Sequence, residues 1–148
     1  MPSVECVPWL AIQRGMLLSH ARVSNVQRKY PEAEAFLQRV FAAGGNTAHS
    51  VNAVKIHLSA ESGLPELQPF KHVVFHHPHL GSESMNRHRA LLGHFFHSAT
   101  QNRVLAPRGV IHVSVGGRQA EDWRLHEQAA RHGLTLLQAT VCVCSFIP

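Results

Sequence analysis

The run KHVVFHHPHLG, Lys71 to Gly81, decides how the rest of the chain is read. Val73, Val74 and Phe75 are β-branched and aromatic and suit a buried strand, whereas Pro78 has no N–H to give a ladder and ends it. His76 to Gly81 is therefore a loop at the carboxyl end of a strand. In an open α/β sheet, the loops leaving that edge enclose the crevice where ligands bind. A helical pattern from Ser84 to Ala106 follows, then a turn at Ala106-Pro107-Arg108-Gly109, then a second strand from Val110 to Val115. Strand, loop, helix, strand is a βαβ unit. It predicts an α/β fold with a mostly parallel sheet flanked by helices.

Working outward, Leu91, Leu92, Phe95, Phe96 and Ala99 form the stripe by which the helix packs on the sheet, with Arg87, His88, Arg89, His94 and His97 mostly toward solvent. Asn86 suits a helix cap or a substrate contact equally. On the second strand His112 and Ser114 share one face, either looking into the crevice or buried and satisfied. Gly116 and Gly117 break that strand. A helix is predicted over Gln119 to His132, with Trp123 in the core, and a last strand over Leu134 to Val143. Upstream, Pro31, Glu32 and Glu34 open a helix through Ala33, Phe36, Leu37, Val40 and Phe41 that Gly44 and Gly45 stop. Thr47 to Ala53 reads as a short strand ending in Val51-Asn52-Ala53 at the ligand edge, and Leu58 to Pro69 as a connector. Residues 1–25 stay unassigned: Val4 to Ile12 has strand chemistry, but Pro8 argues against a central place.

A chain of 148 residues, 45% hydrophobic, builds one domain with a core. The formal charge of +5 and a pI near 9.7 favour polyanionic partners such as nucleic acid, or describe a generally basic surface. Cys142 and Cys144 stand too close in sequence for an ordinary disulfide, and with Cys6 the number is odd, so a reducing compartment is the simpler setting. No stretch has the roughly 20 apolar residues of a membrane span, and no signal-peptide layout is evident.

Six segments in order carry a resemblance: KYPEAEAFL with its GG (Lys29 to Gly45), VNA (Val51 to Ala53), FHHPHLG (Phe75 to Gly81), NRHRALLGHFF (Asn86 to Phe96), LAPRGVIHVSV (Leu105 to Val115) and the Trp123 helix ending in HGL (His132 to Leu134). Together they resemble the Rossmann-like, class I methyltransferase family of 25S rRNA (uridine-N(3))-methyltransferases. The proline-histidine-x-glycine loop with the NR…LL…FF helix is the specific part; LxPxGxIxV is shared by many methyltransferases.

The resemblance implies S-adenosylmethionine as cofactor, large-subunit rRNA as partner and a nucleolar or cytoplasmic setting. It places Asn52, Ala53, His76 and His77 beside the cofactor, His79 and Pro78 at the reacting base, and Gly81, Asn86 and Arg87 on the substrate. Three departures accompany it. Met1 to Asn25 holds neither the strand with a GEGNFSF-type loop nor the second strand, Asn52 stands where Asp is usual, and the family's closing strand is missing after Val143. Residues 26–148 thus read as a partial domain, incomplete at both ends. Its central strand would expose an apolar edge, leaving the chain prone to aggregate or to recruit Val4 to Ile12 as a substitute. A zinc site at His76, His77 and His79 lacks the third or fourth ligand such sites need. An RNA-binding or scaffold domain without the cofactor pocket is the alternative function.

Overall fold

A computed structural model describes residues 10–12, 16–18, 23–58 and 69–140. In chain order the elements are β1 (Leu10–Ile12), β2 (Met16–Leu18), α1 (Val23–Lys29), α2 (Ala33–Ala42), β3 (Asn46–Ala48), a 3-10 turn (Ala53–Lys55), β4 (Phe70–His76), α3 (Met85–Thr100), β5 (Leu105–Ser114), α4 (Gln119–Asp122) and α5 (Leu125–Ala130).

β4 and β5 are adjacent and parallel, with Val73 opposite Ile111, Phe75 opposite Val113 and His76 opposite Ser114. The expected βαβ unit is therefore present, with α3 as its helix. The sheet order is β3-β2-β1-β4-β5. β2 lies parallel to β3, while β1 runs antiparallel to both β2 and β4. Among the described residues four strands thus share one direction and β1 alone opposes them. The apolar edge of β4 is covered as anticipated, by Leu10–Ile12 out of the Val4 to Ile12 stretch. The expectation that Met1 to Asn25 lacks a second strand is corrected, since Met16–Leu18 pairs with β3.

One face of the β4–β5 pair is dry. Val73, Leu92, Phe95 and Ala99 are fully buried and join Val51, Ile56, Phe70, Phe96, Val104 and Trp123 in one core. Phe75 packs on Phe95 at 4.4 Å between ring centroids. Burying a phenylalanine of this kind is worth about 1.5–3 kcal/mol, so these side chains hold α3 in place. By strand alternation His72, Val74, His76, Val110, His112 and Ser114 point to the opposite face. His112 is exposed, which corrects the buried alternative, and its Nε2 stands 2.9 Å from Nδ1 of His72.

Several boundaries move. α3 stops at Thr100 instead of reaching Ala106: the Thr100 hydroxyl turns back to the Phe96 carbonyl at 2.9 Å, and Asn102 and Arg103 take left-handed φ of 46° and 62°. The Ala106 to Gly109 turn is absorbed into β5 as a bulge, because Phe70 faces Leu105 while His72 already faces Val110. A Cβ on Gly109 would lie 2.8 Å from the Ala106 carbonyl oxygen, so only glycine fits that fold of the strand. The strand expected over Thr47 to Ala53 is limited to Asn46–Ala48, and Asn52 opens the 3-10 turn instead. The helix expected over Gln119 to His132 is two helices, broken where Arg124 adopts φ 52° and ψ 48°. The last strand is absent over 134–140; its end, together with the cysteines and most of the connector, lies outside the described residues. On α2, Ala33 and Leu37 are buried but Phe36 and Phe41 are about half exposed, so its apolar spacing overstates the face it buries.

Candidate functional site

The loop leaving β4 is pinned at three successive points. His76, the last strand residue, sits opposite Ser114, and the N–H of His77 donates to the Ser114 carbonyl at 2.9 Å. His77 accepts a φ of 46° to make that bond, a left-handed conformation that costs a side-chain-bearing residue of order 1 kcal/mol or more. Pro78 is fully buried behind it. After Pro78 the chain surfaces: His79, Leu80 and Gly81 are exposed, and the Leu80 and Gly81 amides donate to imidazoles on either side. Leu80 gives its N–H to Nε2 of His88 at 3.2 Å, and Gly81 gives its N–H to Nδ1 of His79 at 2.9 Å.

His88 is the anchor of this arrangement. It lies one turn into α3 with 1% of its surface exposed, and its Nδ1 is 2.9 Å from the Ser84 carbonyl oxygen. A carbonyl only accepts and an amide N–H only donates. Both partners are satisfied together by the neutral imidazole with its proton on Nδ1. The ring lies flat on Trp123, with centroids 4.2 Å apart and planes 6° from parallel. His79 leans on the same pair, 4.6 Å from His88 and 6.0 Å from Trp123. Trp123 is held in turn, since Arg89 donates twice to the Asp122 carbonyl at the end of α4, at 3.1 and 2.8 Å. Trp123 is a core residue as expected. The expectation that His88 points to solvent is corrected.

Of the residues singled out from the sequence, His76, His77, Pro78, His79 and Gly81 share this loop, and Asn86 and Arg87 stand exposed on the first turn of α3 beside it. Asn86 is not the cap. Ser84 holds that position without a side-chain bond, and Asn86 Oδ1 accepts from Arg89 at 3.1 Å. Asn52 and Ala53 stand on a different segment, just past β3, whose last residue Ala48 is level with Phe75 across the sheet. Asn52 Oδ1 accepts from the Val54 N–H at 3.1 Å and so caps the 3-10 turn, while Ala53 packs against the core. That turn leads to His57, whose N–H donates to the buried Ser98 hydroxyl at 3.2 Å and whose carbonyl accepts from Asn102 at 3.0 Å. Both contacts are at the carboxyl end of α3, roughly 20 Å of helix rise from its start.

The electrostatics are those of clustered imidazoles. Burial, and then the neighbouring His77, hold His76 below the ordinary histidine value. His132 is lowered by burial, then by His97, Arg131 and His94, against a raising bond from the Gly93 backbone. Among the described residues no three His, Cys, Asp or Glu side chains are gathered so as to hold a metal ion, and no helix is long and apolar enough to cross a membrane. His88 and Arg89 are the residues that sequence reasoning passed over. Helical spacing carried no signal for His88, since the Ser84 carbonyl beneath it already accepts the His88 N–H at 3.2 Å.

Comparison with known proteins gives these segments a context. Heavy metal-associated isoprenylated plant protein 41 of Arabidopsis thaliana is 32% identical over 123 residues, covering 76% of this chain. The chain spans 22% of that relative's length. No solved structure matches. The family model described as rRNA (uridine-N3-)-methyltransferase BTM5-like matches residues 16–143, a span that takes in β4, its loop, α3 and β5. The chain therefore belongs to the BMT5-like rRNA (uridine-N3-)-methyltransferase family.

Proposed function

We propose that this chain is a Rossmann-like, class I methyltransferase domain directed at N3 of a uridine in large-subunit rRNA, with the His76–Gly81 loop as the place where the target base is received. The observation that carries the reading is the parallel β4–α3–β5 unit, with the family's most specific segments on its carboxyl-edge loop and on the helix that follows. The strand order β3-β2-β1-β4-β5 supports the doubly wound architecture. The basic balance of the chain suits a phosphate-rich partner. We place the protein in the nucleolus or cytoplasm.

S-adenosylmethionine, when bound, supplies an electrophilic methyl group. What the protein must then do is hold uracil N3 in line and keep competing water out, which is positioning work more than acid–base work. Pro78 and the His77–Ser114 bond fix the loop, Leu80 and Gly81 fix the two imidazoles over Trp123, and exposed Asn86 and Arg87 face the approach of the RNA backbone. The residues for the cofactor fit poorly. β1 runs against its neighbours and sets Leu10, not its carboxyl end, beside Phe75 at the ligand edge. Among the described residues no strand-to-helix loop leaves β1 there to cradle the cofactor, and β2 is followed in sequence by Ser19-His20, not by an acid for the ribose hydroxyls.

That misfit favours a second reading, an RNA-binding domain that has kept the fold without an effective cofactor pocket. One experiment separates the two. The chain is incubated with rRNA fragments and S-adenosylmethionine carrying a labelled methyl group, and RNA binding is measured in parallel at rising salt. Methyl transfer to uridine supports the enzyme, and salt-dependent binding indifferent to the cofactor supports the second reading. Absence of RNA binding at low salt contradicts both.

A further inference from the structure

We infer that His79 selects the target base as a fixed hydrogen-bond donor through Nε2, and that it is not a general base; the inference rests on the uridine reading above. The Gly81 N–H donates to Nδ1 of His79 at 2.9 Å. An amide N–H cannot accept, so Nδ1 holds a lone pair there and the neutral ring carries its proton on Nε2. The ring is exposed, and among the described residues Nε2 has no partner. A nitrogen that already bears the proton has no lone pair with which to take one from N3.

The donor is held in place by its surroundings. Pro78 before it is buried, Leu80 after it is tied to His88, and the imidazole leans on the His88–Trp123 stack. The loop therefore offers one outward N–H beside an aromatic support. A planar base that brings a carbonyl oxygen to that point gains a bond. A base that brings an amino group sets donor against donor and leaves both unpaired. At position 4, next to the reacting N3, uracil carries O4 where cytosine carries the N4 amino group, so a donor meeting that position selects uracil.

The test uses the whole chain and two short single-stranded RNAs identical except for one central uridine or cytidine, read by fluorescence anisotropy. The uridine RNA is expected to bind about tenfold more tightly, the worth of one good hydrogen bond against one donor clash. His79→Phe keeps the ring contacts and removes the donor. It should level the two RNAs, weakening the uridine RNA by loss of the bond and tightening the cytidine RNA by relief of the clash. Equal binding by the unaltered chain, or a preference that survives in His79→Phe, would overturn the inference while leaving the RNA reading intact. Binding of neither RNA removes the uridine reading itself and the inference with it. Nitrogen-15 NMR gives an independent check: His79 should show its proton on Nε2, and the opposite tautomer would also overturn the proposal.

Discussion

His88 makes two bonds of opposite sense from one ring, accepting from Leu80 and donating to Ser84. Phenylalanine keeps the stack on Trp123 and loses both bonds. His88→Phe should then cost about 1–3 kcal/mol, the penalty of leaving a part-buried amide unpaired. Urea unfolding measures this, and unchanged stability would show that the loop is held by something else. The lowered histidines give a pH dependence. Above about 6.5 the folded and unfolded forms of His76 and His132 are both neutral and contribute nothing. As the pH falls below 6.5 the unfolded chain takes up protons first, so stability is lost toward the lower folded values. Unfolding curves at about pH 7.5 and 5.5 should show this loss, and His132→Gln should flatten it; an unchanged slope would contradict the sign. At this scale the sequence was only half legible. Pro78 and Gly81 announced a shaped loop, but His88 read as a solvent-facing helix residue, because nothing in a 3.6-residue period reveals a buried polar group that finds its partners in a loop eight residues earlier.

Elements were legible where a buried stripe or a strong breaker marked them. β4 and α3 were found because Val73, Phe75, Leu92, Phe95 and Ala99 have the spacing that packing demands, and α2 because Pro31 and Gly44 bracket it. Boundaries failed where the deciding contact was local and stereochemical. Thr100 bonds back on its own helix, Arg124 turns left-handed in the middle of a helical pattern, and Ala106 to Gly109 bulges from a strand where it was read as a turn ahead of one. The bulge yields a sharp expectation. Gly109→Ala drives a methyl group to 2.8 Å from a backbone oxygen and from Leu105, so it should destabilise by about 1–3 kcal/mol and loosen the β4–β5 pairing. Thermal unfolding and amide exchange at Val110 and Ile111 measure both effects. Wild-type values would mean that the bulge relaxes freely.

For the whole molecule, the order of the matching segments revealed the family, since the FHHPHLG loop and the following helix stand together in sequence as they do in space. The course of the first strand was not legible, because three residues pairing against β4 leave almost no pattern of their own. The direction of β1 has a measurable consequence: S-adenosylmethionine should bind this chain at least a hundredfold more weakly than a complete pocket would hold it, given about 1.5–3 kcal/mol for each missing bond to a charged group. Calorimetric titration decides it, and micromolar binding would show that the first 25 residues build a pocket after all. The central claim, that the loop after β4 receives a uridine, is tested most directly by photo-crosslinking single-stranded RNA that carries 4-thiouridine and mapping the attached peptides. Attachment within His76 to Arg87, lost when unlabelled uridine RNA competes, is the predicted result; attachment confined to other parts of the chain would contradict the account.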